Sequence, residues 1–182
     1  MTYHIMVDLE TLGTGQDAAI LIIGACKFDI RDGEPAHHGT FEVRIEWEDA
    51  FIRRRVDAAT VQWWLQQEED ARQVLVNPSY AVTTKEALVQ LAEFIDGDYQ
   101  PVWSNGATFD IAILENAYAQ FDMMPPWKYN SPRDVRTLVH LAEDVVRRED
   151  FPFEGTPHNA LHDALHQAKY VSAMWMALKG MA

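Results

Sequence analysis

The sequence predicts an α/β fold with a mixed sheet flanked by helices, on three observations. Its N-terminal run His4–Thr11 alternates faces like a strand, and two further β-rich runs follow at hairpin distance. Beyond Ala58 apolar residues recur at helical spacing. Within that helical half, Val102-Trp103-Ser104 passes through Asn105-Gly106 into another helix, the strand–glycine–helix step typical of α/β folds.

Each element has its own warrant. In the first strand, residues two apart share a face, so Tyr3, Ile5, Val7 and Leu9 fall on one side and His4, Met6, Asp8 and Glu10 on the other. A link with two glycines, 12–17, leads to Ala19–Phe28, a continuous β-rich run expected as a deeply buried strand. Arg31–Pro35 is a turn, and Thr40–Ile45 alternates as a half-exposed strand, so the first three strands form an antiparallel meander.

Ala58–Val74 is expected as one helix, with Val61, Trp64, Leu65, Ala71 and Leu75 near one face and Asp57 as N-cap. Thr83 to Glu86 has capping-box spacing; Leu88, Leu91, Ala92 and Ile95 form the stripe, and Gly97 is the stop. The helix after Gly106 carries Phe109, Ile113, Leu114, Ala117 and Phe121. Pro125-Pro126 breaks the chain, Trp127–Tyr129 is expected as an edge strand, and Asp134–Val145 as a helix. A charged loop, 147–157, precedes the last helix, Asn159–Leu178, which is to bury Leu161, Ala164, Leu165, Ala168, Val171 and Trp175.

Composition narrows the class. At 182 residues and 48% hydrophobic content, the chain is expected to be one domain, 1–182, that buries about 70% of its unfolded surface. Its single cysteine, Cys26, forms no internal disulfide, the N-terminus lacks a secretory signal, and no apolar run is long enough for a membrane helix. The expectation is a cytoplasmic protein without a membrane partner. A formal charge of −13 excludes binding nucleic acid through a broad basic surface. It leaves open an enzyme that grips a chain end through cations held by carboxylates.

Four acids stand at element ends: Asp8 and Glu10 closing the first strand, Asp110 after the strand-turn segment, and Asp163 in the last helix. Ligand sites of open α/β sheets lie at strand C-terminal ends. Four carboxylates in one pocket repel unless divalent cations join them. Two such ions about 4 Å apart are the usual apparatus for phosphodiester hydrolysis by water. His158 is five residues before Asp163, about 140° around a helix, so both face one site only if His158 lies in the preceding loop. An imidazole there suits a general base.

These residues resemble the DEDDh group of 3′-5′ exonucleases, which have a ribonuclease-H-like fold. The resemblance rests on Asp8-Leu9-Glu10-Thr11, on Asn105-Gly106-Ala107-Thr108-Phe109-Asp110 and on His158-Asn159-Ala160-Leu161-His162-Asp163, and so runs from residue 8 to 163. The H-x-x-x-x-D spacing marks the histidine subtype. One departure is that many members have His-Asn where Asn105-Gly106 stand here. The Trp-x-Asn-Gly form and Trp63-Trp64-Leu65-Gln66-Gln67 look most like the exonuclease-VIII-type and phage-encoded branch, which implies a host cytoplasm for a phage protein.

The resemblance implies Asp8, Glu10, Asp110 and Asp163 as ligands of two divalent cations, Mg²⁺ or Mn²⁺, and His158 as the base. It implies single-stranded DNA or RNA 3′ ends as substrate, nucleoside 5′-monophosphates as product, and a homodimer. Thr11, Leu12 and Gly13 correspond to the lining of the terminal-nucleotide pocket, with Asn105 and Phe109 beside it and Trp63 available for base stacking.

Other readings attach to the same residues. His158, His162 and His166 at i, i+4, i+8 form a zinc face, or His162 and His166 are exposed polar positions. One of Trp63 and Trp64 is core. Arg53-Arg54-Arg55 and Arg147-Arg148 guide phosphates or are solvated surface, and Asp134 is a helix N-cap or a supporting residue of the site. Rival functions are a noncatalytic acidic binding module and a phosphodiesterase of small nucleotides.

Overall fold

A computed structural model of the chain describes residues 3–76, 80–96 and 100–180. Five strands form one sheet in the order β3-β2-β1-β4-β5. The strands are β1 His4–Thr11, β2 Ile20–Phe28, β3 Pro35–Arg44, β4 Val102–Ser104 and β5 Pro132–Asp134. β1 pairs antiparallel with β2, and β2 with β3, as the hairpin-length links dictate. β4 lies parallel to β1 and β5 parallel to β4, each reached through helical crossovers. The architecture is the ribonuclease-H-like mixed sheet with helices on both faces.

The alternation in β1 sorts the core. Ile5, Val7 and Leu9 meet Leu88, Leu91 and Ile95 of α4 (Thr84–Ile95) and Ile113, Leu114 and Tyr118 of α5 (Asp110–Gln120). Met6 on the other face joins Cys26, Phe28 and Trp103 under α6 (Val135–Ala142) and α7 (Ala160–Leu178). Thr83 caps α4, accepting from the Glu86 N–H, and Asp134 caps α6, accepting from the Thr137 N–H. In α7 the deeply buried positions are Ala164, Ala168, Val171 and Met174; Leu161, Leu165 and Trp175 are only partly covered.

Several expectations need correction. The stretch 58–74 is divided into α2 (Ala58–Leu65) and α3 (Glu69–Arg72), followed by a 3-10 turn at Gln73–Leu75. Glu69 and Asp70 favour a fresh helix N-terminus through the helix dipole, and Leu65 ends up exposed. Asp57 takes the N-cap position of α2 as expected, but its side chain makes no capping bond; its carboxylate pairs with Arg55 instead. A further helix, α1 (Trp47–Arg53), went unforeseen, since seven residues with only Ala50 buried carry little periodicity.

Trp127–Tyr129 is not a strand. Trp127 is drawn onto α5, where its indole N–H donates to Glu115 and its ring meets Tyr118 edge-on, so the edge strand forms later, at β5. Helix α4 ends on Asp96 in a left-handed conformation; Gly97 lies outside the described residues. Among the described residues, no helix is long and apolar enough to cross a membrane.

Candidate active site

Asp8 stands directly opposite Gly24 in the β1–β2 register. The missing side chain at Gly24 is what seats α7: a Cβ there would lie 2.2 Å from the Ala160 carbonyl carbon and 2.3 Å from the Leu161 nitrogen. The first turn of α7 is thus brought down beside the end of β1, and Asp163 with it. One carboxylate oxygen from each of Asp8, Glu10 and Asp163 lies within 4.8 Å of the others. One turn further along α7, the Gln167 amide donates to Asp8 Oδ1 at 2.9 Å. Asp110 heads α5 and is tied to β1 directly, its Oδ1 accepting the Leu9 N–H at 3.2 Å. It lines the same cleft as the other three.

The acids are held where they resist ionising. Burial raises the pKa of Asp8 well above the ordinary range, and the charges of Asp110 and Asp163 add to it against the Gln167 hydrogen bond. Glu10 is raised first by burial and then by Asp8, Asp163 and Asp110, with Arg44 opposing. Burial lifts Asp110 to about 7 despite the backbone N–H bonds it receives. Asp163 is also raised by burial, less so because His158 lies close and donates its backbone N–H. Such a set is relieved by cations, and its donors are all the hard oxygens that Mg²⁺ and Mn²⁺ take.

The acids open into a cleft of about 880 Å³. His158 stands in the loop before α7, as the five-residue spacing requires, with a left-handed φ of 61°. A non-glycine residue adopts that conformation only where its surroundings fix it. Its ring lies edge-on to Trp63 and Trp64, with centroids 5.0 and 5.9 Å away. Three bonds secure the loop: the Thr156 N–H donates to His162 Nδ1 at 3.0 Å, Asn159 Oδ1 caps α7 by accepting the His162 N–H, and the Asn159 amide donates to Glu42 on β3.

Thr11, Gly13, Asn105, Phe109 and Trp63 line this cleft with the five residues expected to be catalytic. Leu12 does not. The register shifts between Glu10 and Thr11, and Leu12 packs inward against Leu21, Ile22 and Trp64. Trp64 is core, its indole N–H donating to the Thr11 carbonyl, whereas Trp63 is 42% exposed.

The basic runs separate. Arg54 is buried and donates to the Ala18 and Gln16 carbonyls, burial pulling its pKa to about 10, and Arg55 pairs with Asp57 at the cleft wall. Arg147 and Arg148 border a different recess, with Val139 and Met174. His162 and His166 are half-buried: the first accepts the Thr156 N–H, the second packs between Phe153 and Tyr170. Among the described residues they form no metal-binding group, so the zinc face is not assembled.

Among the cleft residues that escaped sequence reasoning, Gln167 and Arg136 carry polar groups beside the acids. Gln167 had a signal, being four residues from Asp163 on one helix face. Arg136 had none, because only the β4–β5 pairing of Ser104 with Asp134 carries the start of α6 to the cleft. Asp134 cements that junction by accepting both the Ala107 and Thr137 N–H groups. Burial opposes ionisation there, but these bonds hold its pKa low.

Comparison with known proteins agrees with this geometry. Residues 3–175 match the family model described as the 3′-5′ exoribonuclease Rv2179c-like domain. The exodeoxyribonuclease of Enterobacteria phage T4 is 24% identical over 207 residues, covering 97% of this chain and 89% of the phage protein. Among solved structures, the nuclease domain of 3′hExo, a DEDDh family member bound to rAMP, aligns over 98% of this chain and 93% of its own at 16% identity and a TM-score of 0.60. S. pombe Pop2p in its Mg²⁺- and Mn²⁺-bound form aligns over 100% and 86%, at 12% identity and a TM-score of 0.67. The chain shares the fold of these DEDDh and related nucleases, belongs to the 3′-5′ exoribonuclease Rv2179c-like family, and is a 3′-5′ exonuclease.

Proposed function

We propose that the 182 residues act as one domain that removes nucleotides from the 3′ ends of single-stranded DNA or RNA and releases nucleoside 5′-monophosphates. Asp8, Glu10, Asp110 and Asp163 would hold two divalent cations, Mg²⁺ or Mn²⁺, and His158 would be the general base. The observation that carries this reading is the oxygen triplet of Asp8, Glu10 and Asp163, mutually within 4.8 Å, in a cleft whose rim bears His158. When bound, the cations supply a Lewis acid for the scissile phosphate and make the attacking water more acidic.

The chain's own residues do the rest. Gln167 fixes the Asp8 carboxylate, and the Leu9 N–H fixes that of Asp110, so neither acid swings when substrate enters. The His158 ring, edge-on to two tryptophans and on a braced loop, takes the proton from the attacking water. Trp63 and Phe109 offer apolar faces for unpaired bases, where stacking contributes about 1–3 kcal/mol per base. Single strands fit this lining because their bases are free to stack.

The relatives' names differ on the sugar, exoribonuclease in one and exodeoxyribonuclease in the other, so the test uses both. DNA and RNA oligomers labelled at the 5′ end, incubated with Mg²⁺ or Mn²⁺, should shorten as ladders from the 3′ end and yield 5′-monophosphates. Release of internal fragments, or no ladder with either polymer, would refute the reading. The family resemblance also implies a homodimer; a monomer mass by light scattering at micromolar concentration removes that part alone.

A further inference from the structure

A polyanion has to enter a cleft walled by acids, and the cleft has two arginines to receive it, Arg55 and Arg136. Arg55 is already committed, its Nε 2.8 Å from Asp57 Oδ1. Arg136, in the first turn of α6, is exposed, and no hydrogen bond or ion pair ties its guanidinium to another described residue. Its charge favours the ionised forms of Asp110 and Asp134 nearby, but its N–H donors remain available to a ligand.

Its placement is built. A Cβ on Gly106 would stand 3.3 Å from Arg136 Cζ and 3.4 Å from Nη2, and the φ of 118° at Gly106 is one that L side chains rarely adopt. Gly106 is the position where the second motif departs from the pattern of many DEDDh members, which have a polar asparagine there. Here the polar group beside that backbone comes from α6 instead. Asp134 holds both partners, bonding the Ala107 N–H of the glycine turn and the Thr137 N–H of the helix that carries Arg136. The guanidinium is thus delivered to the cleft by a braced junction.

We propose that Arg136 binds a backbone phosphate of the single strand entering the cleft, a positioning contact made possible by glycine at 106. The proposal rests on the exonuclease reading above. A guanidinium matches two phosphate oxygens with parallel N–H donors, and it stays protonated and charged at any working pH. Because it lies on the same rim as Asn105 and Phe109, it fixes where the strand sits. It takes no part in proton transfer.

The test compares wild type with Arg136→Gln and Arg136→Lys by steady-state kinetics on DNA and RNA oligomers across a salt series. A set of oligomers carrying one uncharged methylphosphonate at successive linkages accompanies it. Arg136→Gln should raise KM about 10-fold with kcat within about twofold, and lower the salt slope of log kcat/KM by about 0.7, the value for one phosphate contact on a single strand. Neutralising one particular linkage should impair wild type and leave Arg136→Gln unaffected, with Arg136→Lys intermediate. An unchanged salt slope, or methylphosphonate penalties in Arg136→Gln identical to those of wild type, would overturn the assignment. Wild type that degrades no oligomer would instead bring down the exonuclease reading, and this inference with it.

Discussion

The Thr156 N–H donates to His162 Nδ1 at 3.0 Å, and with the Asn159 cap this bond ties the His158 loop back onto the helix that carries Asp163. His162 is therefore more than a polar position on the last helix. A net hydrogen-bond contribution of about 1 kcal/mol corresponds to roughly a fivefold effect on a rate that depends on loop placement. His162→Ala should lower kcat by about that factor. His162→Asn, whose amide oxygen can stand in for Nδ1, should restore most of it, as single-turnover assays would show; equal behaviour of the two variants would refute the role.

Much of the site was legible in the sequence because its acids end regular elements. Alternation in β1 placed Asp8 and Glu10 on one face, and the five-residue spacing put His158 outside α7. What stayed hidden depends on contacts between elements. The inward turn of Leu12 follows a one-residue register shift, the division of 58–74 follows from acids starting a new helix, and Arg136 reaches the cleft through strand pairing alone.

Gly24 shows how closely the fold and the site are coupled. Gly24→Ala would force its methyl into the backbone of α7, an overpacking that costs about 1–3 kcal/mol, or roughly 2–12 °C in Tm at this size. Activity should fall further than stability, since relief comes from lifting Asp163 away from Asp8. Thermal melts and oligomer assays would read both; a variant with normal Tm and turnover would refute the coupling.

Stability should weaken in acid through His4. Buried against Trp103 and accepting its indole N–H at 2.9 Å, His4 has its pKa lowered to about 4 by burial, then by Arg133. The folded pKa is below the unfolded value of about 6.5, so the unfolded chain binds more protons in between. The contribution is complete above that unfolded value and is lost as pH falls toward 4. Relative to His4→Asn, wild type should lose about 2 kcal/mol between pH 7 and 4.5, measured by urea unfolding. Parallel pH profiles would contradict it.

Divalent cations should raise Tm, because they bind the folded acid cluster and not the unfolded chain, and chelator should reverse the shift. Asp8→Ala should abolish both hydrolysis and most of the shift while leaving the fold intact, since it removes one of the repelling carboxylates. A melting curve indifferent to millimolar Mg²⁺ and Mn²⁺ would speak against a metal site.

The measurement that bears most directly on the account is the single-turnover rate of His158→Ala on a 5′-labelled oligomer at saturating Mg²⁺, alongside its cation-induced Tm shift. The four carboxylates remain, so the Tm shift should match wild type. The rate should fall by roughly 10²- to 10⁴-fold, the usual worth of a general base, and recover in part at higher pH as hydroxide replaces it. A rate near wild type, or a lost Tm shift with the activity, would show that His158 is not the base.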